Sequence, residues 1–228
     1  MDRKIKECML TDEQRSLILQ GIKNGKEKFQ ELSLLLGETT TKKHTPFLQY
    51  DLVNTHVEKI IEDNPHTQMR VYTRKSGWHP YIVVHDAIRN VFILILKLPE
   101  KKYIFQPSEY RGEFSSSNID RLLQAGLKEE ELFGQDQESY QYSLPLGIEN
   151  QPFGIMVCYD SRSDVVFEGA LKPNQEDWIY KEDITEYINI NTNDLVKLNN
   201  YSLSDIKTTL KDRKDDEDIV IKLKNNPS

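Results

Sequence analysis

Few side chains in this sequence stand where they could do chemistry together. The clearest set is Asp86 and Lys97. Residues 81–84 are β-branched or aromatic and residues 91–98 are nearly all apolar, so the two charges fall at or near the ends of consecutive strands. An aspartate at a strand end, followed by an acid-x-lysine on the next strand, can hydrolyse a phosphodiester. The carboxylates hold Mg²⁺ and the lysine steadies the attacking water or the phosphate. The second acid is missing here, because Ile95 stands two residues before Lys97. An acid from the preceding helix would have to replace it, with Glu58 or Glu62 as candidates. Asp86, Lys97 and Glu62 are the catalytic set of that reading, and Mg²⁺ its cofactor. The plainer reading, which the incomplete motif favours, makes Asp86 the cap of a hairpin turn, Lys97 a strand-end charge and Glu62 part of a solvated stripe. No cofactor is then expected.

A second cluster is basic and aromatic. Arg70, Tyr72 and Arg74 alternate with Met69, Val71 and Thr73, and Lys75 and Trp78 follow. The alternation predicts a half-buried strand, and Arg70, Arg74, Lys75 and Trp78 are the candidate nucleic-acid contacts on it. An ordinary solvated strand face with a core tryptophan is the competing expectation. The five histidines share no i,i+4 spacing within one predicted helix. His79 and His85 bracket a strand near Asp86, a weak pattern for a metal, and no metal site is assigned. There is no G-x-S-x-G elbow and no glycine-rich phosphate loop. Cys8 and Cys158 form no C-x-x-C pair, so a zinc site is not expected.

The elements that would carry these residues follow from periodicity. Thr11-Asp12-Glu13-Gln14 offers a capping box, and Ile18, Ile22, Gly25, Phe29, Leu32 and Leu36 recur at helical spacing. Residues 11–37 are therefore a helical layer, with Asn24-Gly25 a turn signal that could divide it in two. Its apolar face suits either a core or a dimer seam. Residues 47–64 read as a second helix, with Tyr50, Val53, Val57, Ile60 and Ile61 inward. Strands are predicted around residues 68–74, 81–84 and 91–98, the last as a central strand covered on both faces. Residues 103–105 read as a short strand, 107–116 as a loop and 117–127 as a helix capped by Ser117. Residues 153–159 and 165–171 form a hairpin around the polar loop 160–164. Residues 178–180 read as loop and 183–188 as a short helix. From residue 189 the chain turns rich in Asn, Asp and Lys, with a short helix expected over 202–211 and an edge strand over 219–223.

Composition limits the function classes. The 228 residues carry a formal net charge of −7, with 37% hydrophobic and 29% charged residues. That balance allows a real core, disfavours non-specific nucleic-acid binding by the whole surface, and suits a protein that meets other proteins. No apolar run is long enough to span a bilayer, and the charged start carries no signal segment. A cytoplasmic protein is expected.

Tyr50-Asp51-x-x-Asn54-Thr55, then Arg74-x-x-Gly77-Trp78 and Val83-Val84-x-Asp86 before the strand ending at Lys97, resembles a family of uncharacterised bacterial and prophage proteins. The resemblance covers about residues 47–98 and is fainter over 153–188. It implies a cytoplasmic setting and a link to mobile elements, and no activity. The fold expected is α+β: N-terminal helices on a mostly antiparallel mixed sheet, with a degenerate restriction-endonuclease-like core as its extreme form. Residues 1–188 make one domain and 189–228 a charged extension. The function expected is a non-enzymatic interaction or regulatory protein acting in phage–host conflict, with a protein partner or a homodimer through the first helix, and no membrane. The alternative is a divergent nuclease-like nucleic-acid-binding protein.

Overall fold

Helix α2 (Asp12–Leu36) shows how local sequence and packing cooperate. Its capping box forms: the Thr11 N–H donates to Gln14 Oε1 at 3.1 Å and the Gln14 N–H to Thr11 Oγ1 at 3.2 Å. The Asn24-Gly25 signal does not break the helix. Gly21 and Gly25 are instead the contact points with α3 (Thr45–Asp63). A Cβ on Gly25 would lie 2.5 Å from Val53 Cα, and one on Gly21 2.6 Å from Val57 Cα. The two helices meet backbone to backbone, and glycine is required there for lack of space.

The computed structural model describes residues 2–36, 45–76, 79–99, 104–105, 108–128, 132 and 151–190. The expectations for Trp78 and for the chain beyond residue 190 lie outside them. A short helix α1 (Arg3–Lys6) precedes α2. A six-stranded sheet follows in sequential order: β1 (Met69–Ser76), β2 (His79–Asp86), β3 (Val91–Lys97), β4 (Phe153–Tyr159), β5 (Val166–Leu171) and β6 (Trp178–Asp183). All neighbours are antiparallel except β3 and β4, which run parallel from Val91↔Phe153 to Lys97↔Tyr159. A parallel pair needs a crossover. It contains α4 (Glu109–Ser116) and α5 (Ile119–Gln124). The α+β class and the mostly antiparallel mixed sheet are as expected.

Side chains alternate between the two faces of the sheet. One face carries Ile82, Val84, Ile93, Ile95, Ile155, Val157 and Tyr159, packed under Ile18, Ile22, Val53, Val57 and Ile61 of α2 and α3. The other carries Val83, Leu94, Leu96, Met156, Cys158 and Phe167, which cluster with Ile104 and with Phe114 of α4. β3 is thus central, with Val91, Ile93, Leu94, Ile95 and Leu96 buried.

Several local expectations give way to packing. Residues 109–116, read as loop, form α4, and residues 104–105 are a turn. Helix α5 begins after Asn118, and the Ser117 hydroxyl bonds back to Phe114 O at 2.8 Å instead. Asn118 is buried and accepts from Gly154 N–H at 2.6 Å while donating to Gly154 O and Leu171 O at 3.2 and 3.1 Å. It ties the crossover to the sheet. Residues 178–183, read as loop and helix start, make the sixth strand, whose half-polar pattern is that of an edge. A 3₁₀ turn over Thr185–Ile190 follows.

Candidate functional site

Asp86 sits at the end of β2 with 1% exposure. Its carboxylate is surrounded by donors. Oδ1 accepts from the Ile88 and Arg89 N–H groups at 3.0 and 3.1 Å, which closes the β2–β3 turn. Oδ2 accepts from Arg89 Nε at 2.7 Å and from Gln14 Nε2 at 2.8 Å. Arg89 also donates to Gln14 Oε1 and to Met9 O. Burial acts to raise the Asp86 carboxyl, but the bonds from Gln14 and Arg89 outweigh it and hold the group below its ordinary value. Gln14 therefore both caps α2 and joins it to the β2–β3 turn.

The structure does not bring Asp86, Lys97 and Glu62 together. Asp86 pairs with Val91 across the β2–β3 hairpin. Lys97 lies six residues further along β3, about 20 Å away at the rise of an extended strand. Lys97 is instead level with Tyr159 at the far end of the parallel pair. Glu62 is exposed near the end of α3. The antiparallel hairpin causes the separation, since a strand returning from Asp86 carries its own end away. Among the described residues, no group of three His, Cys, Asp or Glu side chains could hold a metal ion.

A second buried polar node joins α2 to the other half of the sheet. Arg15 grips Glu168 of β5 with two bonds of 3.0 Å and reaches Glu182 of β6 at 2.8 Å. Its guanidinium carbon lies 4.7 Å from the Tyr187 ring centroid. Glu168 is fully buried, and burial pushes its carboxyl up while Arg15 pulls against it. A glutamate at an inward position of an otherwise apolar strand was the available sequence signal for this node. Its partner 153 residues away was not legible.

At the Tyr159 end, the Asn54 Oδ1 and Tyr159 hydroxyl atoms are buried with no hydrogen-bond partner among the described residues. Burial, with Tyr50 and Asp51 nearby, raises the Tyr159 phenol. At the opposite end a polar surface cleft of about 310 Å³ is lined by Lys4, Glu7, Asp120, Arg121, Gln124 and Gln151. Its main cations are already engaged: Lys4 Nζ donates to Gln124 O at 2.8 Å, and Arg121 to Arg89 O at 2.7 Å and Cys8 Sγ at 2.8 Å.

Part of the predicted basic-aromatic set shares a surface. Arg70, Tyr72 and Arg74 project from β1 on the side away from α2 and α3, and all three are exposed. Lys75 also belongs to β1, and alternation puts it on the opposite face. His85 and Phe92 continue the row on β2 and β3, brought there by strand register rather than by alternation within one strand. Tyr72 and His85 centroids are 6.3 Å apart and those of His85 and Phe92 4.8 Å.

The most prominent apolar surface lies elsewhere. Leu34, Leu35 and Leu36 at the end of α2 are 84%, 70% and 53% exposed, and Phe47 in the first turn of α3 is 55% exposed. The last buried residue of α2 is Gly25, so none of the residues in its final three turns is buried.

This chain matches no protein-family model, no curated protein and no solved structure. The family resemblance drawn from residues 47–98 therefore stands on its quoted residues alone.

Proposed function

We propose that this is a non-enzymatic interaction protein that docks a protein partner through the tip of the α2–α3 hairpin. The carrying observation is the apolar tip formed by Leu34, Leu35, Leu36 and Phe47, all more than half exposed. Isolated exposed leucines are ordinary, but three consecutive ones at the end of one helix, with an exposed phenylalanine in the first turn of the next, are the kind of apolar surface that marks an interface. The polar nodes support the same reading. Asp86 and Glu168 have their carboxylates engaged by Gln14, Arg89 and Arg15, and hold the fold rather than face a substrate. The partner is a protein with a matching apolar groove, and a second copy of this chain is one such protein. A cytoplasmic setting and a role in phage–host conflict are proposed from the resemblance alone.

The test is a tagged pull-down from host lysate, with and without added nuclease, followed by reconstitution of any stoichiometric partner from purified components. Sedimentation of the chain alone measures self-association. A protein that survives nuclease treatment, binds when purified and is lost in the Leu34→Glu/Leu35→Glu variant is the expected result. The reading is overturned if that variant, still folded, keeps every partner of the parent chain and its oligomeric state.

A further inference from the structure

We infer that the β1 edge of the sheet face opposite α2 and α3, running from Arg70, Tyr72 and Arg74 to His85 and Phe92, is a binding platform for single-stranded nucleic acid. The inference concerns a different surface from the helical tip and does not depend on it.

Two kinds of group are needed to hold an unpaired strand without reading its sequence. Aromatic faces stack on bases, and cations track the backbone. This face provides both. Tyr72, His85 and Phe92 step across three adjacent strands, one ring from each, with the centroid spacings given above. Phe92 packs beside Phe114 of α4 on the same sheet face, their centroids 6.5 Å apart. Tyr72 is 45% exposed, so its ring is open to a ligand. Arg70 and Arg74 flank Tyr72 on the same face, about 13 Å apart along the strand. Arg74 lies back over the row, its guanidinium carbon 6.0 Å from the Phe92 centroid.

The charges are available. Arg15, Arg89 and Arg121 are consumed by internal hydrogen bonds. Among the described residues, Arg70 and Arg74 make no ion pair and no hydrogen bond. Two unpaired arginines and an open tyrosine on a chain of net charge −7 form a local anion site on a surface that otherwise repels anions. Duplex hides its bases in the stack, so the rings select an unpaired strand. An acidic peptide would use the arginines and leave the rings idle.

The full chain is titrated with fluorescently labelled 12-nucleotide single strands of DNA and of RNA, the matching duplex, and a poly-glutamate peptide. Anisotropy is read at several salt concentrations. The expected result is saturable binding of a single strand in preference to the duplex and the peptide. Two phosphate contacts predict a slope of log K against log salt of about −1.4. Tyr72→Ala should weaken binding about tenfold or more, with Tyr72→Phe restoring it. Arg70→Gln/Arg74→Gln should flatten the salt slope. An unchanged melting temperature separates these effects from misfolding, since all three residues are exposed. DNA-only or RNA-only binding supports the proposal and names the sugar. It is overturned if no single strand binds, if duplex or poly-glutamate binds as well, or if folded Tyr72→Ala binds like the parent. Loss of binding in the helical-tip variant Leu34→Glu/Leu35→Glu would also overturn it, by placing the site elsewhere.

Discussion

Asp86 illustrates how one side chain can look catalytic in sequence and act as a structural tie. Its carboxylate accepts from two backbone N–H groups of its own turn and from two side chains, one of them on α2. Held below its ordinary value of 3.8, it stabilises the fold above the carboxylate range, and that contribution is lost as pH falls through the lowered value. The unfolded chain takes up this proton first, so stability should rise with pH across the acid limb. Asp86→Asn should lower stability at neutral pH and make the acid limb shallower, as read from denaturant midpoints between about pH 2 and pH 7. Arg15 and Glu168 make a separate case. Removing one partner leaves a buried charge, so Glu168→Ala should cost about 3–5 kcal/mol, whereas Arg15→Met/Glu168→Leu together should cost far less. Chemical denaturation of these two variants and of Arg15→Met alone measures the difference. A loss in the double variant equal to the sum of the two single losses would show that the pair is not coupled.

At the scale of elements, the α2–α3 pair depends on two missing side chains. Alanine is favoured over glycine in an exposed helix by about 1 kcal/mol. At Gly25 the new Cβ would meet the Val53 backbone at 2.5 Å and Leu52 O at 2.9 Å, and backbone cannot step aside as a flexible side chain can. Gly25→Ala should therefore destabilise by about 1–3 kcal/mol despite its better helix propensity, seen as a lower melting temperature. A gain in stability would mean that the helices can separate at no cost. The same close approach brings α3 against α2, while the leucine-rich end of α2 is exposed. β1 is an element of the opposite kind. It is an edge strand with one polar face, and its exposed Arg70, Tyr72 and Arg74 suit solvent or a ligand, not packing.

At the scale of the molecule, two antiparallel meanders, β1–β2–β3 and β4–β5–β6, join through the single parallel contact between β3 and β4. α2 spans the joint. Gln14 bonds to Asp86 in the first meander and Arg15 to Glu168 and Glu182 in the second. Two consecutive residues of one helix thus tie both halves of the sheet. Among the described residues, no helix is long and apolar enough to cross a membrane.

Elements with local signals were readable from the sequence. The capping box at Thr11 and Gln14, the helical period of α2 and α3, the apolar run of β3 and the polar loop of the β4–β5 hairpin all involve residues a few positions apart. Their energetics are decided within one turn or one strand pair. The cluster of Arg70, Tyr72 and Arg74 on one face was legible for the same reason, since strand alternation needs no partner. The remainder followed from long-range packing. The hairpin direction separated Asp86 from Lys97, and register placed His85 and Phe92 beside Tyr72. The α4 and α5 crossover replaced an expected loop, while packing against β5 drew residues 178–183 into a sixth strand. Arg15 and Glu168, and Gln14 and Asp86, are paired by chain crossings of 153 and 72 residues. Such contacts depend on how whole elements pack, and no periodicity within a short window encodes them.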